Sequence, residues 1–221
     1  MNDPHKYQFN LPATGRPNDN ITLDERWFPG IRAYTQRATT SRIYDPLYGI
    51  RAIVIHATAG SSSAGAAGVI MTSNPRASFH WLVPDEDEEA HGKFCWATAP
   101  ESRAAWHVRN AVSHLDVWNG RNKVNHFSLG IEVVNAQKNN DTFSDWQYQM
   151  TAKIVRYCWA KYPNLVHVVS HAKLDPARRD DPGSIFDWES FKWYCLNKQD
   201  EYDEVPTILP ESPREGTCCQ G

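Results

Sequence analysis

Apolar residues along this chain fall in short runs of two kinds, separated by stretches marked with proline, glycine and charge. Arg51 to His56 is nearly continuous in apolar residues and has the length of a buried strand. Ala77 to Pro84 predicts a second strand and Gly92 to Ala97 a third. The acidic run Asp85 to Glu89 between them reads as a solvated hairpin tip, with metal binding the weaker alternative. Phe127 to Val134 predicts a central strand and Val166 to Val169 another. Helical spacing takes over elsewhere. Ser61-Ser62-Ser63 offers an N-cap ahead of Ala64 to Met71. In Thr142 to Lys161, Ser144 and Gln147 form a capping-box pattern, and Trp146, Met150, Ile154, Tyr157 and Cys158 share one face until Pro163. Asp187 caps a last helix running to Leu196. Strands and helices in this order predict an α/β (α+β) fold, a single mixed central β-sheet flanked by helices.

Three regions follow. Residues 1–48, rich in Pro, Asn, Arg and Thr, read as an irregular N-terminal extension lying on the surface. Residues 49–198 hold the patterned domain. Residues 199–221, dominated by Asp, Glu, Pro, Gly and Ser, read as a polar C-terminal tail. Within the domain, residues 100–126 form a long connection of little regular pattern that carries His107, His114 and His126; such loops are often functional.

The 221 residues suffice for one large domain with a substantial core. A net charge of −3 leaves no basic footprint for nucleic acid. Nine Trp and nine Tyr suit either an aromatic core or a groove that stacks on sugar faces, and the core is the simpler reading. Five cysteines at irregular spacing form no disulfide framework. Cys158 and Cys195 read as small apolar residues in helices, and Cys218 and Cys219 as tail thiols that stay free or pair between chains. No apolar run approaches the roughly 20 residues of a membrane span. The start, Met1-Asn-Asp-Pro-His-Lys, lacks an export pattern, so synthesis in the cytoplasm without a signal peptide is expected.

The candidate chemistry sits at the ends of the apolar runs. His56 closes Ile53-Val54-Ile55, Glu132 follows Leu129-Gly130-Ile131, His171 follows Val168-Val169-Ser170, and Asp181 opens Asp181-Pro182-Gly183. Two imidazoles and one carboxylate leave a fourth position for water, the arrangement of a catalytic rather than a structural zinc site. Each residue also has a plain structural reading: His56 as a capped histidine at a sheet margin, Glu132 as the ion-pair partner of a cation such as Arg179, and Arg179 itself as a surface residue paired with Asp180 or Asp175. A carboxylate on an otherwise apolar strand still requires a reason, because burying it unpaired is costly.

Four segments in register resemble the zinc-dependent N-acetylmuramoyl-L-alanine amidases of the type 2 family, whose fold is shared with peptidoglycan recognition proteins and phage amidase-type lysozymes. They are Ile53-Val-Ile-His56-Ala-Thr-Ala-Gly60, Ala77-Ser-Phe-His80-Trp-Leu-Val83, Ala105-Trp-His107 with Leu129-Gly-Ile-Glu132, and Ser170-His171 running to Asp180-Asp181-Pro-Gly183; together they cover roughly residues 50–195. The resemblance implies a peptidoglycan-recognition-protein-like amidase fold. It implies hydrolysis of the amide between N-acetylmuramic acid and L-alanine of peptidoglycan or muropeptides. It also implies Zn2+ held by His56, His171 and Asp181, with Asp181 preferred to Asp180 because it directly precedes Pro-Gly. Zinc lowers the pKa of a bound water to about 7, and Glu132 would then act as general base and pass the proton to the leaving nitrogen. Arg179 stands where the commonest bacterial pattern has Lys. A cation there stabilises an oxyanion, although Arg is a planar fork of longer reach, and Arg178 competes for the role. His107 matches a Trp-His pair at the active-site rim: either it hydrogen-bonds the scissile carbonyl, or Trp106 simply packs beneath it. His80 reads as a residue that supports the ligands from behind, packs in the core or walls the substrate, and not as a ligand itself. The Ala64 to Met71 helix and the 100–126 connection are expected to wall the groove, with Asn110, Trp118 and Asn125 as glycan or peptide contacts.

A rival from another class is a non-catalytic peptidoglycan-binding module of the same fold, which the complete ligand set disfavours. The biological setting stays open between cytoplasmic recycling of muropeptides, a phage lysin, and a toxin delivered to the periplasm of a rival cell, the last of which would bring an inhibitor or immunity protein as partner.

Overall fold

The computed structural model describes residues 3–17, 21–138 and 140–197. In chain order its elements are β1 (Gln8–Asn10), β2 (Glu25–Trp27), β3 (Thr39–Ser41), β4 (Ala52–Ala57), α1 (Ser63–Ile70), β5 (Trp81–Val83), β6 (Cys95–Ala97), β7 (Arg103–Ala105), β8 (Ser128–Val133), α2 (Asp145–Lys161), β9 (His167–Ser170), α3 (His171–Leu174) and α4 (Trp188–Leu196). A seven-stranded sheet runs β1-β9-β4-β8-β5-β6-β2, and β3 pairs with β7 in a separate two-stranded sheet. The four central strands β9, β4, β8 and β5 are parallel; β1 and β6 run against their inner neighbours. This is the mixed, helix-flanked sheet that the patterning predicts.

Strand alternation decides which side chains meet. Ile53, Ile55 and Ala57 of β4 and Leu129, Ile131 and Val133 of β8 join the main core beneath α2 and α4. Their alternates Ala52, Val54 and His56, with Ser128, Gly130 and Glu132, therefore face the other way, since successive strand side chains point to opposite faces. On that second face lie two smaller apolar clusters. One contains Phe28, Ile31, Ala67 and Phe79; the other contains Val54, Val108, Val117, Phe127 and Leu174. The helix ends obey the capping chemistry of the sequence: Ser144 and Gln147 form a reciprocal capping box, and the Asp187 side chain accepts from Ser190 N.

Residues 1–48 depart from the irregular surface extension expected. β1 closes one edge of the sheet with Phe9 opposite Val168, and Tyr7, Phe9 and Leu11 are buried in the main core. β2 closes the other edge beside β6, and Thr39 to Ser41 pairs with β7 inside the 100–126 connection. Three-residue strands are too short to show a period, so their pairing is invisible in the sequence. The acidic run differs as well. Glu88 accepts the Ser63 backbone N–H at the start of α1, and Glu86 accepts the Ser144 hydroxyl at the start of α2. Two carboxylates thus sit at helix N-termini, where they are electrostatically favoured. The expected tail, with Cys218 and Cys219, lies outside the described residues. Cys95, Cys158 and Cys195 are buried free thiols. Among the described residues no helix is long and apolar enough to cross a membrane.

Candidate active site

The carboxyl ends of β4, β8 and β9 carry the site, the usual place for ligands in an open sheet of parallel strands. The β4–β8 register sets His56 directly beside Glu132 on the shared face. β9 ends at Ser170, and His171 begins α3, where the Ser170 side chain caps Lys173 N. The chain then turns back through Asp175 to Asp181. The Asp181 carbonyl accepts from Ala172 N at 2.9 Å, which ties the returning loop to the start of α3. Gly183, at φ +88°, completes the turn in a conformation that L side chains rarely adopt.

Three donor atoms converge. His56 Nδ1 lies 3.0 Å from His171 Nδ1 and 3.1 Å from Asp181 Oδ2, and the last two are 3.0 Å apart. All three residues are buried. Protons cannot satisfy all three edges of this triangle. If both imidazoles donate to the carboxylate, their own N–H groups collide. If one donates to the other, the acceptor turns a lone pair on the carboxylate. A single cation at the centre resolves every edge. Tetrahedral ligands at about 2.0–2.1 Å stand roughly 3.3 Å apart, close to the observed spacing. The donor set therefore fits a divalent ion, and these are the residues whose ligand atoms could hold one.

The charges around the triangle follow from burial and neighbours. Burial and the nearby His171 bring His56 down to about 4. Burial acts to raise the Asp181 carboxyl, but hydrogen bonds with His171 and His56 outweigh it and hold the group well below the usual carboxylate range. Burial, reinforced by the Asp181 charge, pushes Glu132 up to about 8, with Arg179 opposing. Among the described residues no cation comes within 4 Å of the Glu132 carboxylate, so the ion-pair reading of Glu132 is not realised.

The cleft above the triangle has Ala66 and Val69 of α1 on one wall, Phe79 on another, and Gln137, Arg178 and Arg179 at its rim. The two arginines differ. Arg178 lies 3.6 Å from Asp175, which is already held by a two-pronged contact from Arg109 at 2.9 and 2.7 Å. Arg179 has no carboxylate within 4 Å among the described residues, yet its charge reaches both His56 and Glu132. Asp180 points away and meets His5 Nε2 at 3.1 Å.

The remaining candidate residues divide between cleft, core and surface. His107 lines the cleft beside His56, with Nδ1 3.1 Å from His56 Nε2 and Nε2 3.2 Å from Ser128 Oγ. His80 is a core residue: Gly130 N donates to its Nδ1, and its Nε2 meets the Arg103 carbonyl at 3.0 Å. Burial and the Arg42 charge bring it to about 3. The Asn125 amide is buried and consumed by His107 N, Val108 N and the Val108 carbonyl. Trp118 packs against Tyr44 and Phe127, and Asn110 is likewise away from the cleft. Among the described residues no Trp or Tyr lines the cleft, so the aromatic content belongs to packing. Gln137 carries no signal in the sequence; it sits at φ +56° and lines the cleft, with its Nε2 buried and without a partner among the described residues.

A mixed sheet with parallel central strands and a two-histidine, one-carboxylate triangle at their ends defines an α/β protein built around a candidate metal centre. Residues 46–184 match the family described as N-acetylmuramoyl-L-alanine amidase, and the chain belongs to that family. It is 32% identical over 149 residues to the N-acetylmuramoyl-L-alanine amidase AmiD of Escherichia coli, covering 63% of this chain and 51% of AmiD. It is 36% identical over 120 residues to the 1,6-anhydro-N-acetylmuramyl-L-alanine amidase AmpD of Salmonella typhimurium, covering 53% of this chain and 56% of AmpD. The chain thus spans about half the length of each relative. Among solved structures, E. coli AmiD in complex with anhydro-N-acetylmuramic acid-L-Ala-D-γ-Glu-L-Lys superposes with a TM-score of 0.55 at 26% identity, covering 74% of this chain and 68% of AmiD. AmpDh3 from Pseudomonas aeruginosa shares the fold with a TM-score of 0.58 at 24% identity, over 72% of this chain and 64% of that one.

Proposed function

We propose that this chain is a zinc-dependent amidase that hydrolyses the amide joining N-acetylmuramic acid to L-alanine in peptidoglycan or muropeptides. The observation that carries the reading is the His56, His171 and Asp181 triangle with an unpaired Glu132 beside it at the cleft floor. A binding module would need neither a complete ligand set nor a carboxylate kept unpaired among apolar strands.

His56, His171 and Asp181 would hold the ion; when bound, zinc supplies Lewis-acid activation of water and carbonyl at neutral pH. Glu132 faces the cleft next to His56. Ionised, its carboxylate accepts the proton released by the attacking water and returns it to the leaving amide nitrogen, so one group serves as base and then as acid. Arg179, uncommitted at the rim, donates to the carbonyl oxygen as negative charge develops there. Gln137 offers a buried N–H2 donor to the same cleft and is suited to a substrate carbonyl. The ligand of the solved AmiD complex and the name of AmpD both specify an anhydro-muramyl sugar, which makes soluble anhydro-muropeptides the first substrate to test. Cytoplasmic recycling is the setting in keeping with such a substrate.

The test is mass spectrometry of anhydro-muramyl-tripeptide incubated with zinc-loaded protein. Separate sugar and peptide products are expected, and Glu132→Ala should keep zinc while activity falls by about 10²–10⁴-fold. Intact substrate after incubation with the zinc-loaded wild type, or full activity in Glu132→Ala, contradicts the assignment.

A further inference from the structure

We propose that His107 is a positioning residue that fixes the tautomer and orientation of His56 through a directed hydrogen-bond chain ending on the backbone of the 124–128 turn. The inference rests on the triangle being a metal site. For His56 to present Nδ1 as a lone pair, its ring proton must sit on Nε2. That nitrogen lies 3.1 Å from His107 Nδ1, which must therefore accept. The proton of His107 is then on Nε2, 3.2 Å from Ser128 Oγ, and the Ser128 hydroxyl donates onward to the Val124 carbonyl at 2.7 Å. Each link has one allowed direction, and the direction is set at the His56 end. The partner nitrogen of His171 has no such support: its Nε2 is buried without a hydrogen-bond partner.

A second observation shows that the strand makes room for this ring. On the face of β8 that carries the site, Ser128 binds the His107 ring, Glu132 lines the cleft, and Gly130 lies between them. A Cβ added at Gly130 would stand 2.7 Å from His107 Cγ and 2.9 Å from its Nδ1, closer than side chains tolerate. The main chain of residue 107 is also pinned, because the buried Asn125 side chain accepts from His107 N and Val108 N at 3.2 and 2.8 Å. Partners of metal-bound imidazoles typically contribute 10–100-fold in metal affinity.

The test is zinc affinity by competition with a chromophoric chelator, which needs no substrate. His107→Leu, close in volume but without an acceptor, should weaken zinc binding 10–100-fold. His107→Asn, whose Oδ1 reproduces an acceptor near the Nδ1 position, should restore most of the loss. Wild-type affinity in His107→Leu, or an equal loss in both variants, overturns the proposal. Where the Leu variant does not fold, long-range ¹H–¹⁵N spectra of the zinc-loaded wild type decide: a neutral His107 carrying its proton on Nε2 is expected, and a proton on Nδ1 or a charged ring overturns it. Failure of the metal site itself is distinguishable. Wild type that binds no zinc, or binds it equally well after Asp181→Ala, removes the triangle as a metal centre; tight zinc binding through the triangle with an indifferent His107 removes only the positioning role.

Discussion

Glu132→Gln gives the sharpest physical test of how the site holds charge. In protein stripped of metal, burial and the Asp181 charge raise the Glu132 carboxyl from 4.5 to about 8. An acid raised on folding contributes its stability fully below the unfolded pKa, and that contribution is lost as pH climbs through the folded one. At about 1.4 kcal/mol per pK unit, ionising Glu132 in the fold costs up to roughly 5 kcal/mol. One side of the carboxylate opens to the cleft and to water, so about 2–3 kcal/mol is the working figure. Gln has the shape of the protonated acid and never ionises. Denaturant unfolding of the chelator-treated proteins should therefore give near-equal stabilities at pH 4.5. Glu132→Gln should be the more stable by about 2–3 kcal/mol at pH 8.5, with the gap opening across that window. Saturating zinc should shrink the gap, because a cation in the triangle offsets the carboxylate charge. A gap that stays flat with pH, or a Gln variant that is the less stable at pH 8.5, refutes the reasoning.

Arg179→Ala should lower kcat by about 10²–10³-fold with little change in KM, as for loss of an oxyanion donor, and Arg179→Lys should recover most of it; a pure KM effect would assign the residue to binding instead. Arg42 is half-buried and donates to the carbonyls of Glu101, Asn125 and Ser128 at 2.9, 2.9 and 3.1 Å. Arg42→Met leaves those acceptors unpaired and should cost about 3–5 kcal/mol in denaturant unfolding, and a loss below about 1 kcal/mol would show that water replaces the guanidinium.

The sequence carried the central strands and the site residues for a common physical reason. β4 reads as an apolar run that His56 closes, and in β8 Glu132 interrupts the apolar residues Leu129, Ile131, Val133 and Val134, so both polar residues stand out against their background. His171 and Asp181, separated by ten residues, were linked by the family pattern and not by any period, and the returning loop closes that distance through the Ala172–Asp181 backbone contact. What stayed hidden depends on pairing between distant segments. The edge strands of residues 8–10 and 25–27 have no signature of their own, because three residues cannot display an alternation. Glu86 and Glu88 read as solvated charges, since nothing local reveals that two helices begin beside them. His107 stands out in the sequence beside Trp106, but its contact with His56 does not. Its neighbours Ser128 and Gly130 are legible only once β8 is known to turn alternate residues toward it.

Zinc K-edge X-ray absorption on protein loaded with one equivalent of metal tests the account at its centre. Two imidazole nitrogens with two oxygens, four light scatterers at about 2.0–2.1 Å, are predicted, with Asp181→Ala losing the bound metal. Sulfur in the first shell, a six-oxygen shell of hydrated ion, or an unchanged spectrum in Asp181→Ala would contradict it.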